Sequence, residues 1–150
     1  MITDKDRETA DYKSLIFVYG TLLSGEPNYP LLESGTLVGE AQTKSEFRMF
    51  TGGWFPYVQR SELEVVERFE DGTPSEEKFV GYSIQGEVYS IDSQTLARLD
   101  RLEGVPSHYQ RHSINVTLAD GSIRAVDIYL YYGDTSRMEE IPGGNWKNRT

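Results

Sequence analysis

The residue in this chain best placed to move a proton is Glu103, within the stretch Asp92 to Arg111, DSQTLARLDRLEGVPSHYQR. Asp92 is a helix-capping type, Leu96, Leu99 and Leu102 recur at helical spacing, and Gly104 with Pro106 beyond it supplies a stop. The spacing predicts one short helix over 93–103. At 100° per residue, the step from Leu96 to Glu103 returns to within about 20° of its start, so Glu103 falls between Leu96 and Leu99 on the apolar stripe. A carboxylate there points where a leucine is expected, in a last turn where the negative end of the helix dipole opposes another negative charge. Desolvation and dipole both raise its pKa toward the range useful for proton transfer. The bland alternative is a glutamate that bends out to solvent or pairs with Arg101 or Arg111.

A second candidate is Tyr19-Gly20-Thr21-Leu22. A buried strand that ends in glycine leaves successive backbone N–H groups without ladder partners, which is how a nest for an anion or oxyanion arises; an ordinary strand-to-loop turn has the same local sequence. The two histidines, His108 and His112, straddle a predicted loop-to-strand junction. In a strand they would stand about 13 Å apart, too far to share a metal. No G-x-S-x-G elbow is present, and the absence of cysteine excludes thiolate zinc sites and cysteine nucleophiles. Neither a metal nor a cofactor is expected.

The elements that must position these groups fit in one domain of 150 residues. A net charge of −9 repels phosphate backbones and anionic membrane surfaces, so neither nucleic acid nor membrane is an expected partner. The charged N-terminus, MITDKDRETADYK, lacks the apolar core of a signal peptide, and no run approaches a membrane span. These features point to a cytoplasmic protein, with a monomer as the default, in which 1–14 is a flexible tail and 15–150 the domain.

Leu15 to Tyr19, LIFVY, is a continuous apolar run of β-formers, the pattern of a central strand buried on both faces. Gly20 to Asn28 then opens an irregular loop, with a helical turn possible over 29–34. Strands are expected over 37–41 and 46–50, and Trp54, Phe55 and Tyr57 crowd the turn that follows, either as a lid over the core edge or as a pocket wall. Residues 61–79 hold seven acids against two bases around the turn DGTP and read as a solvated ribbon. Residues 79–91 alternate as a strand that feeds the helix. Ile114, Val116 and Leu118 alternate, Ala119-Asp120-Gly121-Ser122 turns, and Val126, Ile128 and Leu130 alternate back. The opposite face of that last strand carries Asp127, Tyr129 and Tyr131, too polar for plain core and suited to a cavity. The fold class is therefore α+β, a small mixed, antiparallel-rich β-barrel with one or two packed helices.

VYGTL at 18–22 with Gly25 and Asn28, GEVY at 86–89, LDRLEG at 99–104 with Pro106, Tyr109 and Arg111, the strand ending at Tyr131, and IPGGNW at 141–146 together form a pattern. It resembles the gamma-glutamylcyclotransferase-like proteins, most closely the gamma-glutamylamine cyclotransferase branch. The resemblance implies a compact mixed barrel and a small-molecule gamma-glutamyl substrate, from which 5-oxo-L-proline is released. By the same resemblance Glu103 is the catalytic acid and base, and Tyr19, Gly20, Thr21 and Leu22 are the substrate loop. Tyr131 is a pocket residue, unless the closing strand is shifted by two onto Tyr129. The substrate's own α-amine attacks its γ-carbonyl, so no enzyme nucleophile, metal or cofactor is required. Leu23 and Tyr29 depart from the family pattern on the leaving-group side, and the 61–79 segment has no counterpart in it. The competing function is a non-catalytic module that binds a small ligand in the pocket or a partner on the acidic ribbon.

Overall fold

A computed structural model of the chain describes residues 13–148 apart from Thr21, Ser24, Pro27 and Glu33. Residues 1–12 of the tail expected over 1–14, and Thr21 of the Tyr-Gly-Thr-Leu loop, lie outside the described residues. Strand β1 (Lys13–Val18) carries the apolar run, with Ile16 and Phe17 fully buried and Val18 nearly so. It lies between β7 (Gln85–Asp92), antiparallel with Phe17 opposite Val88, and β9 (Ile123–Tyr131), parallel with Ile16 opposite Asp127. The run is two-faced because the strand is central, as its composition predicts. β1 starts before Leu15 because Lys13 and Ser14 still pair with Asp92 and Ile91, and main-chain pairing requires no apolar side chain.

With β2 (Thr36–Thr43) and β8 (Tyr109–Leu118) these strands close a five-stranded barrel in the order β1-β7-β2-β8-β9. The expected mixed barrel is thus present, with one α-helix and a 3-10 turn at Tyr29–Leu32 among the described residues. The β8–β9 hairpin forms at the predicted turn, where the Ser122 amide donates to Asp120 Oδ1 at 2.8 Å and the Gly121 amide to the Leu118 carbonyl at 2.9 Å.

A second sheet, β10-β3-β4, holds β3 (Phe47–Thr51), β4 (Pro56–Arg60) and β10 (Glu139–Glu140). It corrects one expectation: the strand feeding the helix begins at Gln85 rather than at Phe79, because Tyr82 is drawn to β3 instead. The Tyr82 amide donates to the Phe47 carbonyl at 2.8 Å and its hydroxyl to Glu140 Oε2 at 2.8 Å. The acidic segment is the predicted ribbon, β5 (Leu63–Arg68) paired with β6 (Pro74–Phe79), exposed along most of its length. Among the described residues no helix is long and apolar enough to cross a membrane.

Candidate active site

Helix α1 (Ser93–Leu102) starts where the sequence predicts: the Thr95 amide donates to Asp92 Oδ1 at 2.7 Å. It stops by a reciprocal pair of bonds, Gly104 N–H to the Arg101 carbonyl at 3.2 Å and Val105 N–H to the Asp100 carbonyl at 3.0 Å. That closure needs a left-handed residue after the cap, and Gly104 supplies it at φ 65. Glu103 is the cap residue, and its amide still donates to the Leu99 carbonyl at 2.9 Å. Leu99 and Thr95 are fully buried on the face beside it, and Leu96 is partly buried. Leu102 departs from the predicted stripe and is 47% exposed, because the buried face turns toward Thr95, Leu99 and Glu103.

Beside that face lies a cavity of about 190 Å³. The end of β1 contributes Phe17 and Val18 to its wall, and the loop beyond contributes Tyr19, Gly20, Leu22 and Asn28. Leu102 and Glu103 come from the helix end, His108 and Tyr109 from the start of β8, Tyr129 from β9, and Phe55 and Pro56 from the start of β4. Glu103 is the carboxylate among these residues. Burial pushes its pKa from the ordinary 4.5 up to about 7. Arg111, one of the two arginines that could have paired with Glu103, is engaged instead by Asp100 at 3.0 Å and by Asp127 at 2.9 Å.

The three tyrosines of the wall are held by their hydroxyls. Tyr19 donates to the Tyr129 carbonyl at 2.6 Å, Tyr109 to the Pro56 carbonyl at 2.9 Å, and Tyr129 to Asp100 Oδ1 at 2.7 Å. Burial is the main cause that raises all three pKa values, with further contributions from neighbouring tyrosines, Glu103 or Asp100. They remain protonated near neutrality and serve as walls and donors. Gly20 sits against Pro56 so closely that a Cβ there would lie 2.5 Å from the proline Cγ. The loop approaches β4 by having no side chain at that point.

The structure therefore brings Glu103 together with Tyr19, Gly20 and Leu22 around one cavity. Tyr131 is not in its wall. It packs instead on Tyr57, Tyr109 and His108, with ring centroids 4.6, 5.8 and 5.4 Å away. Tyr129, two residues earlier on the same strand face, takes the lining position, which is the register shift the sequence left open. The crowded aromatic turn divides its members: Phe55 lines the cavity, Tyr57 stacks on Tyr109 with rings 7° from parallel, and Trp54 is 87% exposed. His108 is the lining residue that spacing discounted; its place after the E-G pair and ahead of Tyr109 is the one local signal that could have found it.

Both the sequence and the fold have relatives among known proteins. The profile of the family described as gamma-glutamyl cyclotransferase, AIG2-like, matches residues 16–148. A Vibrio cholerae protein named as a candidate gamma-glutamylcyclotransferase is 35% identical over 136 residues, covering 90% of this chain and 96% of its own. The gamma-glutamylaminecyclotransferase of Rattus norvegicus is 33% identical over 123 residues, covering 77% of this chain and 75% of its own. The crystal structure of an AIG2-like protein from Mus musculus superposes with a TM-score of 0.65 at 23% identity, covering 93% of this chain and 85% of that one. The chain belongs to the gamma-glutamyl cyclotransferase, AIG2-like family.

Proposed function

We propose that this protein is a gamma-glutamyl cyclotransferase that releases 5-oxo-L-proline and a free amine or amino acid from a gamma-glutamyl substrate. The observation that carries the reading is the carboxylate of Glu103 in the wall of a small cavity beside Tyr19 and Gly20, with its pKa raised to about 7. In the reaction the substrate α-amine attacks the γ-carbonyl carbon, a C–N bond closes the five-membered ring, and the amide C–N bond to the leaving amine breaks. Glu103 takes a proton from the attacking nitrogen and returns one to the leaving nitrogen, so its own state is restored in each turnover. A carboxyl with a pKa near working pH is suited to both transfers, typically for about 10²- to 10⁴-fold in rate.

Ring closure is favoured by holding amine and carbonyl in contact, a task suited to a cavity walled by Tyr19, Tyr109 and Tyr129. Backbone N–H groups of Gly20 and Leu22, in the loop that follows β1, hold the substrate carboxylate or the developing oxyanion, and one such donor is typically worth about 10²- to 10³-fold. The reaction uses groups of the substrate and this chain alone.

The test is incubation with a panel of gamma-glutamylamines and gamma-glutamyl dipeptides, with 5-oxoproline read by mass spectrometry. Turnover by the native protein that is lost in Glu103→Gln supports the assignment. Full activity in that variant removes Glu103 from its role, and binding of gamma-glutamyl compounds without turnover would make the protein a binding module.

A further inference from the structure

We infer that Arg111 is a positioning residue: by joining Asp100 of α1 to Asp127 of β9, it holds the end of the helix against the barrel so that Glu103 faces the cavity. The inference rests on the cyclotransferase reading for its kinetic consequence, though not for its geometry. Arg111 stands on β8 opposite Tyr129. Its Nε and Nη2 donate to the two carboxylate oxygens of Asp100 at 3.0 and 3.3 Å, and its Nη1 donates to Asp127 Oδ2 at 2.9 Å. Two carboxylates are thus bridged by the planar fork that only an arginine presents.

Asp100 is also the acceptor for the Tyr129 hydroxyl at 2.7 Å, while the Tyr129 carbonyl accepts from Tyr19 at 2.6 Å. One chain of hydrogen bonds therefore runs from the last turn of α1 through β8 and β9 to the end of β1. Glu103 follows Asp100 by one helical turn, and its carbonyl accepts from the Tyr109 amide at 3.2 Å. The helix end, β8, β9 and the residue after β1 are tied to this chain, and the second sheet joins through the Tyr109 hydroxyl on Pro56. Without Arg111, Asp100 keeps only the Tyr129 hydroxyl and stands near Asp127 as a like charge, which loosens the helix end from β8 and β9.

The experiment compares native protein with Arg111→Met and Arg111→Lys, reading three quantities. The Glu103 carboxyl is titrated by carbon NMR of protein labelled at glutamate Cδ, its resonance being the one absent from Glu103→Gln; melting temperature and the kinetics of 5-oxoproline release are measured alongside. Arg111→Met is expected to lower the Glu103 pKa toward the ordinary carboxylate range as the side chain swings into water. With a substrate in hand, kcat falls by roughly 10- to 100-fold with KM little changed. Arg111→Lys, which keeps the charge and loses the fork, lies between. A Glu103 pKa that stays the same or rises in Arg111→Met overturns the inference, as does a lower melting temperature with titration and kcat intact. If Arg111→Met does not fold, the same titration in Arg111→Lys decides. If the native protein releases no 5-oxoproline from any panel member, the cyclotransferase reading fails, while the titration still tests the positioning of Glu103.

Discussion

The hydroxyl of Tyr129 donates to Oδ1 of Asp100 at 2.7 Å, so a side chain from the cavity wall is bonded to the helix one turn ahead of Glu103. Helix α1 and strand β9 consequently share a fixed contact, and the carboxylate at the helix end inherits it. Tyr129→Phe removes this bond while keeping the ring. The bond is to a charged acceptor and partly buried, so we expect a loss of about 1 to 2 kcal/mol, read as a fall of a few degrees in melting temperature. A melting temperature unchanged within error would show that the bond contributes nothing to the docking of the helix.

The raised pKa of Glu103 has opposite consequences for activity and for stability. As the base, Glu103 must be ionised, so kcat/KM is expected to climb with pH through about 7 and level off above it. For stability, the folded chain binds the Glu103 proton more tightly than the unfolded chain, where the ordinary value is 4.5. That contribution is complete below pH 4.5 and is lost as pH rises through about 7, so Glu103 weakens the fold in alkaline solution. Glu103→Gln removes the burial of a charge. It is expected to be more stable than the native protein at pH 8, by roughly 2 kcal/mol after allowance for partial exposure. Chemical denaturation at pH 5 and pH 8 checks the sign, which must differ more at the higher pH.

Gly20→Ala places a methyl group on the Pro56 ring. The clash forces β1's end and β4's start apart, at an expected cost of about 1 to 3 kcal/mol. Because both residues line the cavity, KM is expected to rise with the loss of stability. Substrate titration calorimetry with Gly20→Ala and with a control substitution at exposed Trp54 separates the local effect from a general one.

Replacing residues 62–78 by a short glycine-containing turn is expected to leave the barrel and the cavity intact. The ribbon is exposed, pairs within itself, and contributes no residue to the cavity wall. Among the described residues the ion pair lost with the second sheet is Glu62 with Arg48 at 2.9 Å, partly exposed and worth at most about 1 kcal/mol. 5-Oxoproline release within about twofold of native bears this out; a collapse of activity would show that the ribbon supports the site.

Local chemistry determined the helix, the hairpin and the ribbon. A capping aspartate, the buried Leu99 and a stopping glycine lie within a dozen residues of one another, and the capping bonds are local, so their spacing carries the outcome, although Leu102 leaves the predicted stripe. The same holds for Asp120 and Gly121 in the β8–β9 turn, and for the two-faced burial of β1, which composition alone announces. The placing of Glu103 on the buried side of its helix belongs to this local set as well.

What only the tertiary structure decided are the choices between neighbours on one strand or one turn. Tyr129 and Tyr131 share a face and a residue type, and which of them meets the cavity depends on how far β9 slides past β1, a contact more than a hundred positions away. Arg111 had Glu103, Asp100 and Asp127 within conceivable reach. It is engaged by the two aspartates because β8 and β9 pair in a register that sets Arg111 opposite Tyr129. Tyr82 left an alternating strand for the second sheet because Phe47 offered its main chain there. In each case periodicity names the face, and the partner is selected by packing between segments that are distant in sequence.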